Sequence, residues 1–169
     1  MDGAIKDMKH LLISMALLIL VAFNSVGQSR VEPPSGWKII SGCTVSLYVP
    51  SDIAFIHDLS SDTCLRNYRS KNISIEIYVT PFTIGADQYS NWPEHCVVKT
   101  KINSREAEIV TSYIPVTSEE NKGLDYTAML LVPNFREGSG NLIIRTWSKT
   151  SEDRDKAIQI LRAVQFNKQ

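Results

Sequence analysis

Hydrophobic and polar residues alternate most strictly over residues 72–80. Ile73, Ile75, Ile77 and Val79 would share one side of an extended chain, because successive side chains of a strand point to opposite faces. The segment is therefore predicted to be a β-strand with one face buried.

The same alternation, interrupted by turn residues, predicts strands along most of the chain. These further strands are predicted at residues 44–49, 64–68, 95–102, 106–114, 125–132 and 142–147. The short connection Asn103-Ser104 indicates a hairpin. Residues 53–61, 81–93 and 133–141 lack a clear period and are predicted to be loops.

The segment Thr150–Phe166 has the only complete helix signature in the sequence. Thr150 can cap its first turn, with Asp153 as the capping-box acid. At about 100° per residue, one arc of the helix is apolar. That arc consists of Ala157, Ile158, Ile160, Leu161 and Val164. The fold class predicted is α+β, an antiparallel β-sheet with this C-terminal helix, and room for a second, packed on it.

Residues 1–27 are typical of a secretory signal peptide. The apolar run Leu11–Phe23 follows Lys6 and Lys9 and is followed by small residues. As a helix the run would span about 20 Å, short of the roughly 30 Å bilayer core. A periplasmic or secreted location is expected, with no membrane span after signal removal. Translation could start at Met1 or at Met8, which gives a more typical basic start.

The rest of the chain is predicted to be a flexible leader, residues 28–36, followed by a single α+β domain, residues 37–169. Without residues 1–27 the chain has 16 basic and 16 acidic residues, since two of each 18 are removed. This balance argues against nucleic acid as the partner.

Three cysteines, Cys43, Cys64 and Cys96, lie after the signal segment. In an exported protein, three cysteines are typical of one disulfide and one free thiol. All three pairings are open, as is the alternative of three buried thiols.

Three stretches resemble the PsbP/Mog1-like fold. They are GCTVSLYVPSDI near the start of the domain, KINSREAEIVTSY in its middle and EDRDKAIQILRAVQF at its end. The resemblance implies an antiparallel sheet sandwiched by helices. It also implies non-enzymatic roles, as in photosystem accessory subunits, a small-GTPase partner and many exported bacterial proteins. It carries over no functional residue, and the long basic loops of the photosystem branch are absent from the sequence.

The best binding candidate in the sequence is the aromatic loop that contains Tyr89 and Trp92. Such side chains give large contact areas at low entropic cost, and loops on rigid sheets often carry function. The alternative is an aromatic plug over the sheet. The sequence thus favours a non-enzymatic protein-binding module, with another envelope protein as its partner.

Two other functions remain open. A thiol-dependent enzyme would use Cys64 or Cys96 with His57, although adjacent His95 and Cys96 would point to opposite strand faces. A carrier would hold a small apolar ligand between sheet and helix. No nucleotide, dinucleotide or hydrolase motif is present, and no cofactor is predicted. Acids around His57-Asp58 match neither a calcium loop nor a zinc site.

Overall fold

The structure is a computed structural model that describes residues 34–58, 64–82, 84–115, 121–136 and 140–167. The predicted signal peptide, residues 1–27, and residues 28–33 of the predicted leader lie outside these ranges. Within them, no helix has the length and apolar character needed to cross a bilayer.

Ten strands, one 3₁₀ helix and one α-helix make up the described chain. The strands are β1 (Trp37–Gly42), β2 (Val45–Pro50), β3 (Ala54–Asp58), β4 (Leu65–Arg69), β5 (Ile73–Thr80), β6 (Cys96–Ile102), β7 (Arg105–Tyr113), β8 (Tyr126–Arg136), β9 (Gly140–Ser148) and β10 (Gln165–Phe166). The 3₁₀ helix, Ala86–Tyr89, lies between β5 and β6, and helix α1 spans Ser151–Arg162.

The strands form two antiparallel sheets. The large sheet has the order β3-β4-β5-β9-β8-β7-β6, and the small sheet has the order β1-β2-β10. Together with the C-terminal helix, this arrangement confirms the predicted α+β class. The division into two sheets was not predicted, because alternation marks strands without saying which of them pair.

The main core lies between one face of the large sheet, here called the inner face, and the small sheet with α1. Leu47 of β2 and Ile160 of α1 are fully buried there, as are Ile77 and Ile144 of the large sheet. Because one aliphatic row of each strand faces this core, the strict alternation of β5 has a direct structural cause.

Helix α1 begins where its sequence predicts. The Thr150 hydroxyl accepts a hydrogen bond from the Asp153 N–H at 3.1 Å, as expected of an N-cap. Ala157, Ile160 and Leu161 are fully buried. The chain then returns to the small sheet, where Phe166 of β10 lies opposite Val45 of β2.

Two loop predictions are wrong. Residues 53–61 contain strand β3, whose apolar residues Phe55 and Ile56 are exposed because β3 is an edge strand with a bulge. A bulged edge strand does not alternate between buried and polar positions. Strand β8 also continues past Pro133 to Arg136, with a register shift and a positive φ of 51° at Asn134.

Candidate functional site

The second face of the large sheet, here called the outer face, carries an arginine on its central strand. Arg145 lies on β9, opposite Glu76 of β5 on one side and Met129 of β8 on the other. Because β9 is the fourth of seven strands, the Arg145 backbone is held by a sheet ladder on both sides.

The Arg145 guanidinium lies between two aromatic rings. Its central carbon is 5.8 Å from the ring centre of Tyr78 and 5.5 Å from that of Trp147, within the range of a cation–π interaction. Its Nη2 donates a hydrogen bond to the Tyr78 hydroxyl at 3.1 Å, and its Nε lies 3.3 Å from the Met129 sulfur. These contacts fix the plane of the guanidinium.

Glu76 partly balances the charge of Arg145 without forming a close pair with it. The nearest carboxylate oxygen is 3.8 Å from Nη1, which is too long for a hydrogen bond. Both side chains are about one quarter exposed, at 26% for Arg145 and 23% for Glu76. The two side chains therefore interact as an ion pair without a hydrogen bond between Nη1 and this oxygen.

Burial raises the pKa of the Tyr78 hydroxyl above its usual value, and the neighbouring Arg145 charge opposes that rise. The phenol therefore stays protonated at neutral pH. It accepts from Arg145 and keeps its own proton for donation to another group.

A groove of about 430 Å³ opens beside this arginine. Its lining consists of Leu65, Glu76, Tyr78, Val79, Thr80, Pro81, Phe82 and Arg145. Phe82 is 74% exposed, which is unusual for so large an apolar side chain. The groove combines apolar walls with a few polar groups, as ligand sites commonly do.

The aromatic loop packs on the outer face next to the arginine. Tyr89 is 8% exposed, and its ring centre is 4.5 Å from that of half-buried Trp92. Both belong to a second apolar cluster with Val110, Met129 and Ile143. This is the arrangement expected of an aromatic plug, and partner binding at Tyr89 and Trp92 stays a prediction.

The cysteines divide into a pair and one free thiol. Cys43 and Cys64 are joined as a disulfide with their Cα atoms 5.3 Å apart, while Cys96 is free and exposed on edge strand β6. A thiol mechanism at Cys64 would first require reduction of this bond. For His57 the described structure gives only the backbone position, opposite Asn67 in β4.

Metal and apolar-ligand binding have little support in the described residues. No group of three or more histidine, cysteine, aspartate or glutamate side chains is placed to hold a metal ion there. Asp62, one of the acids near His57, lies outside the described residues. The interface of α1 with the sheet is filled by Ala157, Ile160 and Leu161.

Neither a protein-family model nor a curated protein matches this chain.

Glu76, Tyr78 and Arg145 were not among the residues singled out from the sequence. The alternation of β5 does assign Glu76 and Tyr78 to the solvent face, which is a partial signal. The missing information is the pairing of β5 with β9, whose paired residues are 61 to 75 positions apart along the chain.

Proposed function

We propose that this chain is an exported, non-enzymatic binding module with a PsbP/Mog1-like fold. Its groove on the outer face binds a segment of another envelope protein that presents a carboxylate next to an apolar side chain. The observation that carries the proposal is the Arg145 guanidinium, fixed between Tyr78 and Trp147 beside an open groove.

A carboxylate is the acceptor that best fits a fixed guanidinium. Its two oxygens match the fork of N–H groups, and charge-assisted hydrogen bonds are roughly twice as strong as neutral ones. Because the two rings already hold the Arg145 plane, little side-chain entropy is lost on binding. Glu76 reduces the net charge, so recognition depends on directed hydrogen bonds more than on long-range attraction.

The groove walls are complementary to an apolar side chain next to the carboxylate of the proposed ligand. Leu65, Pro81 and Phe82 line the groove, and Phe82 exposes most of its ring to solvent. Covering such a ring stabilises a complex at roughly 25 cal/mol for each Å² of apolar surface removed from water.

Export is supported by two independent features. The first is the apolar run Leu11–Phe23 with its basic flank. The second is the Cys43–Cys64 pair, which is compatible with an oxidising compartment. The PsbP/Mog1-like assignment is supported by the resemblance of the three stretches quoted above and by an antiparallel sheet that carries a C-terminal helix.

The test is site-specific photo-cross-linking in the native cell envelope. A photoreactive residue at position 82 should cross-link one dominant partner, and the same residue at Val98, which is 44% exposed on edge strand β6, is the control. Adding Arg145→Met should abolish the cross-link at position 82. Equal cross-linking at both positions, or none at position 82, would overturn the proposal.

Two further measurements separate binding from folding. Phe82→Ala should leave thermal unfolding unchanged, since the side chain is largely exposed, yet reduce cross-linking from a probe at Pro81. Alkylation of Cys96 should leave partner capture unchanged. Loss of capture after alkylation would favour the thiol alternative instead.

A further inference from the structure

The exposed ring of Phe82 belongs to a residue whose backbone is held by buried side chains. Its N–H donates a hydrogen bond to Thr80 Oγ1 at 3.2 Å, and its carbonyl accepts one from Asn141 Nδ2 at 2.6 Å. Thr80 and Asn141 lie opposite each other on β5 and β9 and are only 9% and 8% exposed. A ring that is 74% exposed is thus attached to a fixed peptide group.

The other end of the Asn141 amide is bound to β8. The ladder between β8 and β9 is irregular here, with residues 133–135 of β8 opposite Asn141 alone. Asn141 Oδ1 accepts a hydrogen bond from the Asn134 N–H at 3.0 Å, where the backbone has a positive φ of 51°. Because an N–H only donates and a carbonyl only accepts, the two partners fix which end of the amide faces Phe82.

The irregularity of β8 does not by itself account for an asparagine at position 141. The Asn134 N–H requires only an acceptor, which an aspartate would also supply. The Nδ2 group adds a donor, and the hydrogen bond that it forms is to the Phe82 carbonyl. The acceptor half of Asn141 therefore serves the sheet, whereas its donor half serves the wall of the groove.

Strand β9 carries both Asn141 and Arg145. The two residues share the outer face, because they lie opposite Thr80 and Glu76 on the same side of β5. At about 3.3 Å per residue, their Cα atoms are about 13 Å apart along the strand. Arg145 and Phe82 both line the groove. One central strand therefore sets the positions of both, directly for the guanidinium and through the Asn141 amide for the ring.

We propose that Asn141 is a positioning residue of the groove, which fixes the distance between the Phe82 residue and the Arg145 guanidinium. This inference rests on the proposed binding function and adds a selectivity to it. The partner segment has to present its apolar side chain and its carboxylate at one spacing. A ring on a loose backbone would accept several spacings, and binding would then also have to order that backbone, which costs entropy.

The first test follows the Phe82 peptide group without any partner. Its order parameter, measured by carbonyl-carbon relaxation in the isotope-labelled protein, should be about 0.85 in the original protein and below about 0.6 in Asn141→Leu. Cross-linking from a photoreactive residue at Pro81 should fall about fivefold or more in Asn141→Leu. Thr146→Val is the matched control, since Thr146 lies on the same strand but donates its own buried hydrogen bond to the Ala128 carbonyl. It should leave both readouts unchanged.

The second test uses Asn141→Asp, which has nearly the same shape and keeps an acceptor for the Asn134 N–H. Only a protonated carboxyl can donate to the Phe82 carbonyl. The order parameter at Phe82 should therefore fall in this variant as pH rises from about 4 to about 9 and the carboxyl loses its proton. A role confined to the sheet would not produce this change. The original protein, measured over the same range, accounts for Glu76, the acid that lines the groove.

Two outcomes would overturn the proposal. The first is a Phe82 peptide group that stays rigid in Asn141→Leu, or in Asn141→Asp at every pH, and the second variant decides alone if the first does not fold. The second outcome is a mobile Phe82 with unchanged cross-linking from Pro81, since the partner would then not depend on its position. Absence of cross-linking in the original protein would instead contradict the proposed function, and the relaxation data would still show whether Asn141 holds Phe82.

Discussion

Thr127 and Thr146 are both buried in the large sheet, but in the part of the chain that the structure describes only the Thr146 hydroxyl has a hydrogen-bond partner. Thr146 Oγ1 donates to the Ala128 carbonyl at 2.8 Å. Among the described residues Thr127 Oγ1 has no hydrogen-bond partner, and the same holds for Ser112 Oγ, directly across from it on β7. An unpaired buried hydroxyl lowers the free energy of unfolding, whereas a paired one raises it.

Valine substitutions at these two threonines should therefore have different effects on the free energy of unfolding. Thr146→Val should lower the free energy of unfolding by about 1 kcal/mol or more, because the Ala128 carbonyl loses its donor. Thr127→Val should leave it unchanged or raise it by up to about 1 kcal/mol. Urea unfolding of both variants measures the difference. Equal losses would mean that Thr127 has a hydrogen-bond partner after all, such as an ordered water.

The contribution of Tyr78 to the free energy of unfolding should depend on pH. Tyr78→Phe removes the acceptor of Arg145 Nη2 and should lower the free energy of unfolding by about 1 kcal/mol at neutral pH, after discounting for partial exposure.

Burial raises the Tyr78 pKa in the folded protein, while the unfolded tyrosine ionises near pH 10. The unfolded chain then releases its proton first as pH rises, so the tyrosine contribution is complete below about pH 10 and is lost above it. The difference between the original protein and Tyr78→Phe should shrink from neutral pH to about pH 11. A difference that grows with pH would contradict the assigned direction.

Among the elements, those with local signals were predicted and those that depend on distant pairing were not. Strand β5 has a period of two within its own residues, and helix α1 has an apolar arc of its own and a cap at the preceding Thr150. Strand β3 does not, because its bulge and edge position remove the alternation. The end of β8 was also not predicted, because a proline such as Pro133 usually marks a loop. A strand can accept proline where its ladder is irregular, and the ladder of β8 is irregular beside Asn134.

The β6–β7 hairpin turn was predicted, but its second residue is poorly suited to its conformation. Asn103 and Ser104 both have positive φ angles, 48° and 67°, as in the two-residue turns that prefer Asn-Gly. Ser104→Gly should raise the free energy of unfolding by roughly 1 kcal/mol, because glycine avoids the cost of a left-handed backbone.

Ser90 is the matched control for this turn. It is also exposed, but its φ of −57° is ordinary, so Ser90→Gly should lower the free energy of unfolding through the added entropy of the unfolded chain. Thermal unfolding of the two variants tests this contrast. A fall in melting temperature for both would mean that the turn is not strained.

For the whole molecule, long-range pairing decides what the sequence could reveal about the candidate site. The groove beside Arg145 combines residues of β4, β5, β9 and the loop after β5. Glu76, Tyr78 and Arg145 are each ordinary outer-face positions in their own strands. Only the strand order brings the guanidinium between Tyr78 and Trp147, and no local pattern determines that order.

The Cys43–Cys64 bond connects the two sheets, since it joins the turn of the β1–β2 hairpin to the residue before β4. With a sequence separation of 21, loop-closure entropy gives it about 3 kcal/mol of stabilisation. Cys43→Ser combined with Cys64→Ser should lower the free energy of unfolding in urea by that amount. Cys96→Ser should change it by less than about 0.5 kcal/mol, since the free thiol is exposed.

Because the double variant could fail to fold, the original protein unfolded in urea with and without a reductant gives a second measurement. Reduction should lower the urea midpoint of the original protein and leave that of a folded double variant unchanged. If reduction leaves both midpoints where they were, the bond does not hold the two sheets together. The two sheets would then be held together mainly by the apolar core that contains Leu47 and Ile77.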